Sequence, residues 1–350
     1  MRILVYEGPK QLRVVERGDL EAGPGQVRIR TLYSGISHGS EMNVYRGIAP
    51  FFSRNNDSEY RLFRPVETEE AWHYPIRSCD PGVWYMGYAC VGEVVETGED
   101  AGDLKPGDLV YANAPHQSEA VKSHREVIKL PQDLPPEFGV LFTNLMTAYN
   151  GILDTRIKLG DTVVVSGLGV LGQLVVQMAK MSGAHRVIGV DVLDKRLQTA
   201  LAVGADHVFN AASGEDVAYE IRKLTNARGA DAVIEVSGSQ RALQQAIRMA
   251  APDCTVTALG WYQGACVDLN LAEEFHHNRI TLKSSQTSRI NPDIRHMWDH
   301  KRKEETCLSL LARLKLDNLI THRIPYEQAA DAYRMIDSHA DDIIQVVLTY

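Results

Sequence analysis

The chain has 350 residues, enough for two ordinary domains, because a single hydrophobic core stops growing near about 250–300 residues. Hydrophobic residues make up 44% and charged residues 23%, a composition that argues against a disordered or fibrous protein. The formal net charge of −8 argues against a nucleic-acid-binding surface, which needs clustered lysine and arginine. A small molecule is therefore the expected partner.

The N-terminus begins with a short strand-like segment, Met1 to Tyr6, and lacks the apolar stretch and cleavage site of a signal peptide. No later run reaches the roughly 18 uninterrupted apolar residues that a membrane span requires. The five cysteines are scattered without a Cys-x-x-Cys pair, which argues against a disulfide framework or a zinc ribbon. We expect a cytosolic protein with free thiols and no membrane partner.

The first part of the chain, to about residue 130, predicts a small β-rich domain, because short β-type runs are separated by turns rich in glycine and proline. The predicted strands are residues 27–33, 90–96, 108–112 and 126–130. Residues 46–85 are polar and aromatic without a clear period, and we predict a long insertion there, a kind of segment that is often functional.

From about residue 147, strands alternate with helix-length segments, the pattern typical of a parallel sheet with helices on both faces. The predicted strands are residues 162–166, 186–191, 207–210, 230–236, 255–260 and 280–285. They predict a doubly wound α/β sheet. A polar helical tail follows residue 288, in which the run Lys301 to Glu305 predicts a solvated face. After it come a strand at 320–324, a helix from Tyr326, and a strand at 344–349 that returns to the first domain.

A glycine-rich turn is the most informative motif, and it consists of Gly167, Leu168, Gly169, Val170, Leu171 and Gly172. It follows an apolar strand and opens a helical run, which is the context of a dinucleotide-binding turn. Its glycines permit the tight turn, the approach of backbone to pyrophosphate, and close helix–strand packing. The helix N-terminus favours the negative phosphates. The alternative is a glycine turn used only for packing.

Asp191 ends the next predicted strand, 19 residues beyond Gly172, where an acidic side chain hydrogen-bonds the adenosine ribose hydroxyls. This favours NAD as the cofactor. The 2′-phosphate of NADP would be repelled by the carboxylate unless Lys195 or Arg196 compensates.

Several motifs occur in a characteristic order along the whole chain. They are residues 35–41 (GISHGSE), 86–95 (MGYACVGEVV), 105–108 (KPGD), 147–149 (TAY) and the nucleotide turn. In this order the chain resembles the medium-chain dehydrogenase/reductase superfamily, to which the zinc alcohol and polyol dehydrogenases belong. The resemblance implies a β-rich, GroES-like catalytic domain (1–146 and 289–350) and a Rossmann NAD-binding domain (147–288). It also implies a homodimer that pairs through the strand at 280–285.

The resemblance assigns further cofactor contacts at the carboxyl ends of two strands, where ligands bind in such sheets. These residues are Ser237 after the fourth strand, and Gly260 and Trp261 after the fifth, and Arg196 would cover the adenine.

The zinc-ligand positions of the family are altered here. Where zinc members have a cysteine, a His-Glu pair and a Cys or Glu, this chain has His38, Tyr88-Ala89 and about Thr143. Catalytic zinc needs three protein ligands, and only His38 could serve. In the family the acid at Glu41 supports the site without binding metal. Residues 95–118, where the structural zinc lobe would lie, contain no cysteine. We predict that neither zinc is bound.

Without zinc, another group must take the proton when an alcohol is oxidised. By resemblance, Ser40 occupies the hydroxyl-relay position, and Tyr88 and His38 stand where zinc ligands would. His116 is a further imidazole that could act as a base near neutral pH. The alternatives are a loop histidine bonded to backbone at His38, an aromatic plug at Tyr88, and a surface histidine at His116.

The altered motif resembles a zinc-lacking branch that includes sugar, cyclitol and bacteriochlorophyllide dehydrogenases. The main hypothesis is an NAD-dependent enzyme that oxidises a secondary alcohol of a polyol, sugar or cyclitol. The alternatives are an NADPH-dependent enone or quinone reductase, against which Asp191 argues, and a nucleotide-binding protein without turnover.

Overall fold

The structure is a computed structural model that describes residues 1–67, 71–338 and 341–350. The chain forms two compact units. The first unit consists of Met1–Thr143 and Ile320–Tyr350, and the second unit of Asn144–Leu319. Among the described residues, no helix is long and apolar enough to cross a membrane.

The elements of the N-terminal part are short and mostly strands. In chain order they are β1 (Arg2–Gly8), β2 (Gln11–Glu16), β3 (Gln26–Gly35), α1 (Ser40–Tyr45), β4 (Arg54–Asp57), β5 (Leu62–Pro65), β6 (Ile76–Arg77), β7 (Cys90–Thr97), β8 (Leu109–Ala112), β9 (Glu119–Ser123) and β10 (Val127–Lys129). Turns of 3-10 helix lie at Pro50–Phe52, His124–Glu126 and Pro136–Leu141.

Strands and helices alternate from there on. They are α2 (Phe142–Thr155), β11 (Thr162–Ser166), α3 (Val170–Met181), β12 (Arg186–Asp191), α4 (Asp194–Val203), β13 (His207–Asn210), α5 (Val217–Leu224), β14 (Ala230–Glu235), α6 (Gln240–Met249), β15 (Ala250–Ala258), α7 (Glu274–His277), β16 (Thr281–Ser284) and α8 (His300–Leu311). The chain ends with β17 (Ile320–Pro325), a 3-10 turn at Tyr326–Gln328, α9 (Ala329–Asp337) and β18 (Gln345–Thr349).

The main sheet of the first unit joins strands of the N-terminal part to the last two strands of the chain, whereas β1 lies in a separate sheet of order β2-β1-β6. The strand order of the main sheet is β10-β8-β7-β3-β18-β17, with β9 also paired to β3. Strand β18 runs antiparallel to β3, with Leu348 opposite Ser34. The predicted return of the final strand to the first domain is confirmed.

The predicted insertion at residues 46–85 is organised by aromatic packing. Strands β4 and β5 form an isolated hairpin. The Trp72 ring stacks on Phe51, with centroids 4.7 Å apart, and on Tyr85, with centroids 3.7 Å apart. Strands β4 and β5 are exposed at almost every position, so they leave no alternation of buried and exposed residues in the sequence.

The second unit contains the predicted doubly wound sheet. Within its described residues the strands are parallel and lie in the order β13-β12-β11-β14-β15-β16. Strand β11 is buried along its whole length, as expected for a central strand covered on both faces. The order reverses direction between β11 and β14, and ligands bind at such a switch point, outside the carboxyl ends of the strands.

The predicted domain boundary after residue 288 differs from the observed one after Leu319. Helix α8 belongs to the second unit because its Lys303 is fully buried there and donates to the Thr287 carbonyl at 2.6 Å and to Asn150 Oδ1 at 3.2 Å. Burial lowers the pKa of Lys303. The prediction of a solvated face at Lys301 to Glu305 is therefore wrong at Lys303, although Lys301 is exposed.

Candidate active site

The glycine turn in the second unit has the geometry that the motif predicts. Gly167 has φ +94°, and a Cβ there would lie 2.7 Å from the Ser237 nitrogen. A Cβ on Gly172 would lie 2.0 Å from the Gly167 carbonyl oxygen, so only glycine fits. A Cβ on Gly169 would meet nothing within 4 Å. The turn is thus closely packed at its first and third glycines and open at its second.

Helix α3 begins immediately after Gly169, so Val170, Leu171 and Gly172 form its first turn. The first amides of a helix have no partner within the helix, and they favour an anion. Leu168 is fully buried, and its side chain packs beside Gly189 of the next strand. The turn is therefore anchored to the sheet while its helix end can receive phosphate.

Asp191 lies directly beside this turn. Its Oδ2 accepts a hydrogen bond from the Leu168 nitrogen at 2.6 Å, and its Oδ1 accepts from the Val192 and Leu193 nitrogens at 2.8 and 3.1 Å. Arg196 NH1 lies 3.8 Å from Asp191 Oδ2. The carboxylate stabilises the turn. Oδ1 already accepts two hydrogen bonds, whereas Oδ2 accepts one and keeps a lone pair for a hydroxyl donor.

The loops after β14 and β15, which the resemblance assigns to the cofactor, surround the carboxylate of Glu235, a residue that the sequence analysis does not single out. Ser237 and Gly238 follow β14, and Gly260 and Trp261 follow β15, with Trp261 45% exposed. Glu235, the last residue of β14, is fully buried and accepts hydrogen bonds from both loops. The available signal is an acidic residue directly after the apolar run Ala232 to Ile234 at the end of the strand.

In the first unit, Tyr88 is hydrogen-bonded to Ser37, a residue of the same 35–41 motif as Ser40. The Tyr88 hydroxyl donates to Ser37 Oγ at 2.7 Å, and the Ser40 nitrogen donates to the same oxygen at 3.3 Å. Burial, together with the charge of Glu41, raises the pKa of Tyr88 to about 12. Tyr88 therefore keeps its proton at neutral pH. His38 is half-buried in the turn just before α1.

His116 is fully buried, so the surface alternative for this residue is wrong. Its Nδ1 lies 2.7 Å from Ser34 Oγ, and its Nε2 lies 2.8 Å from Glu41 Oε2. Gly87, the residue before Tyr88, has φ +114°, and a Cβ there would lie 2.7 Å from the His116 nitrogen. The small residue in this motif thus makes room for the histidine.

Glu41 is the centre of this cluster. Besides His116, its carboxylate accepts from the Ser37 nitrogen at 2.8 Å and from the Tyr333 hydroxyl at 2.6 Å. Ser34 Oγ also lies 2.8 Å from the Tyr350 hydroxyl. These hydrogen bonds connect the β3–α1 turn with α9 and with the last residue of the chain. They also place the Glu41–His116 pair next to Ser37, the residue to which Tyr88 is hydrogen-bonded.

The residues at the zinc-ligand positions of the family do not fit a zinc ion. Tyr88 donates its hydroxyl to Ser37, and Thr143 is hydrogen-bonded to the Tyr111 hydroxyl and to the Tyr88 carbonyl. Ala89 has no ligand atom. Among the residues that the structure describes, no group of three His, Cys, Asp or Glu side chains could hold a metal.

Known proteins resemble this chain over its full length. A family model described as zinc-binding dehydrogenase matches residues 170–301. D-guloside 3-dehydrogenase of Escherichia coli strain K12 is 32% identical over 357 residues, with all of both chains covered. L-threonine 3-dehydrogenase of Pyrococcus abyssi is 29% identical over 347 residues, with 89% of each covered. The crystal structure of galactitol-1-phosphate dehydrogenase from Escherichia coli matches all of both chains with a TM-score of 0.78 at 21% identity, which is a likeness of fold.

A doubly wound parallel sheet with a glycine-rich dinucleotide turn, together with a β-rich unit that carries the altered motifs, is the architecture of a dehydrogenase. The chain belongs to the medium-chain dehydrogenase/reductase superfamily, the zinc-binding or alcohol dehydrogenase-like group. The resemblance predicted from its motifs is confirmed.

Two alanine substitutions separate folding from nucleotide binding at the turn. Gly172→Ala should destabilise the protein by about 1–3 kcal/mol, because its Cβ meets backbone that cannot move away. Gly169→Ala should leave the melting temperature unchanged but weaken NADH binding about tenfold, or about 1.4 kcal/mol, because the backbone can no longer approach pyrophosphate. Thermal unfolding and NADH fluorescence titration measure both, and wild-type NADH affinity in Gly169→Ala would contradict the assignment.

Proposed function

We propose that this protein is an NAD-dependent, zinc-independent oxidoreductase that interconverts a secondary alcohol of a sugar, polyol or cyclitol and the corresponding ketone. The relative from Escherichia coli, matched over its full length, is named for dehydrogenation of a guloside at position 3, and position 3 of a hexose carries a secondary hydroxyl. Other relatives are named for dehydrogenation of threonine and of butanediol. Among these relatives, the guloside dehydrogenase has the greatest sequence identity and coverage, which favours a sugar or a closely related polyhydroxylated substrate.

The observation that carries the zinc-free part of the proposal is the hydrogen-bonded set Ser37, Tyr88, Glu41 and His116. In an alcohol oxidation the carbon loses a hydride and the oxygen loses a proton. NAD, when bound, supplies the hydride acceptor. The side chains of this set must then manage the proton that zinc members control through a metal-bound alkoxide.

Ser40 and the members of the set have distinct tasks in the proposed reaction. Ser40 and Tyr88 hydrogen-bond the reacting oxygen and orient the alcohol. With its pKa raised to about 12, Tyr88 is a proton donor to the ketone in the reductive direction. In the oxidative direction the proton passes from the alcohol through the hydroxyls of Tyr88 and Ser37 to solvent. Glu41, which accepts from the Ser37 backbone nitrogen, and its partner His116 position this serine.

The preference for NAD follows from the position of Asp191 beside the glycine turn. A carboxylate there accepts hydrogen bonds from ribose hydroxyls and repels a 2′-phosphate. Arg196, at 3.8 Å from Asp191, is partly neutralised by it. We also propose a homodimer formed through β16, which lies at the edge of the described sheet.

Cofactor choice can be measured by titrating the protein with NADH and NADPH. We expect NADH to bind at least about tenfold more tightly, a difference of about 1.4 kcal/mol. Asp191→Asn removes the charge that repels the 2′-phosphate, so it should reduce this difference to about threefold or less. Because its amide also faces a backbone N–H group, both affinities should fall, and the ratio of the two affinities is the quantity to compare. Tighter binding of NADPH by the wild-type protein would contradict the proposal and favour an NADPH-dependent enone or quinone reductase.

The catalytic assignment can be tested by following NADH absorbance with a panel of methyl hexosides, polyols and cyclitols. Ser40→Ala and Tyr88→Phe should each lower kcat about 10²- to 10⁴-fold on the best substrate, because each removes a proton-transferring hydroxyl. Tyr219→Phe, at an exposed tyrosine on α5, is the matched control and should not change kcat. If Ser40→Ala and Tyr88→Phe both retain the wild-type kcat, these hydroxyls have no part in the chemistry.

A further inference from the structure

Glu235 is a buried carboxylate in the second unit that the proposed proton transfer does not use. It ends β14, which pairs with β11 on one side and β15 on the other, in the centre of the sheet. Its side chain therefore lies at the carboxyl edge of the strands, where a parallel sheet of this kind binds its ligand. It is fully buried, and burial raises its pKa.

Four hydrogen-bond donors converge on the Glu235 carboxylate. The Ser237 nitrogen donates to Oε1 at 2.8 Å, and the Ser237 hydroxyl donates to the same oxygen. The Gly238 nitrogen donates to Oε2 at 3.2 Å, and the Tyr262 hydroxyl donates to the same oxygen. Since the two backbone amides can only donate, the site requires a group that accepts at both oxygens, as a carboxylate does.

The donors come from two different loops, one after β14 and one after β15. The loops are also packed backbone against backbone, because a Cβ on Gly260 would lie 2.3 Å from the Gly238 nitrogen and 3.1 Å from Glu235 Oε2. On the other side, Ser237 closes against Gly167 of the glycine turn. Glu235 thus holds together loops that border the nucleotide turn.

We propose that Glu235 is a positioning residue that sets the conformation of the 236–239 and 259–262 loops to receive the nicotinamide half of the cofactor. It acts through Ser237, Gly238 and Tyr262 and does not itself contact the cofactor. The inference rests on nucleotide binding by the second unit. It does not depend on the choice of NAD over NADP, because both carry the same nicotinamide half.

Glu235→Gln is the most direct variant, because glutamine has the same shape but presents an amide donor to two groups that also donate. We expect NADH affinity to fall about tenfold or more, since mispaired buried donors carry a penalty of that size. AMP represents the adenosine half, which contacts the glycine turn and Asp191, and its affinity should stay within about twofold of the wild-type value by the same arithmetic.

Asp206→Asn is the matched control. Asp206 directly precedes β13 and also accepts from a backbone nitrogen, that of Val187 at 2.7 Å, and from Lys180. Val187 is near the amino-terminal end of β12, so this carboxylate lies at the opposite edge of the sheet from Glu235. Its loss should lower the melting temperature without changing the affinity for either NADH or AMP.

The experiment is a fluorescence titration with NADH and a calorimetric titration with AMP for the wild type and each variant. If the wild-type protein binds NADPH more tightly than NADH, the proposed NAD dependence is wrong. The positioning role of Glu235 is then tested by the same titrations with NADPH in place of NADH. Glu235→Gln with unchanged dinucleotide affinity, or with dinucleotide and AMP affinities reduced equally, would overturn the positioning role. If Glu235→Gln does not fold, Tyr262→Phe replaces it. This variant should lose about threefold in affinity for NADH and none for AMP. Equal changes in the two affinities would overturn the proposal.

Discussion

The buried carboxylate of Glu41 is the constraint on which the first unit depends. A carboxylate without exposure to water is stable only when its oxygens are hydrogen-bonded, and here the partners come from three separate parts of the chain. They are the Ser37 nitrogen, the His116 ring and the Tyr333 hydroxyl. The hydrogen bonds to Glu41 therefore hold helix α9, through Tyr333, against the 35–41 motif. They also fix the orientation of the His116 imidazole.

The second unit uses carboxylates in a related way, as acceptors for backbone amides at the carboxyl edge of its sheet. Asp191 holds the glycine turn through the Leu168 nitrogen, and Glu235 holds the two loops beyond it. Hydrogen bonds to a fixed acceptor thus help to determine the conformation of these loops. The proposed role of Glu235 makes cofactor affinity depend partly on a residue that does not touch the cofactor.

Much of this arrangement was predictable from local patterns. The parallel strands, the glycine turn and Asp191 follow one another in sequence, and their spacing carries the geometry. The burial of His116 was not predictable, because it depends on Glu41, 75 residues away, and on the space left by Gly87. The position of α8 was missed for a similar reason, since Lys303 lies in a charged run and its acceptors are distant in sequence.

The central claim is that side chains manage the alcohol proton where zinc-type relatives use a metal. The most direct test is to measure zinc per chain in freshly purified, catalytically active protein, and to assay activity before and after chelation and dialysis. We expect zinc far below one per chain and no loss of activity on chelation. Stoichiometric zinc, with activity that is lost on its removal and restored on its return, would contradict it.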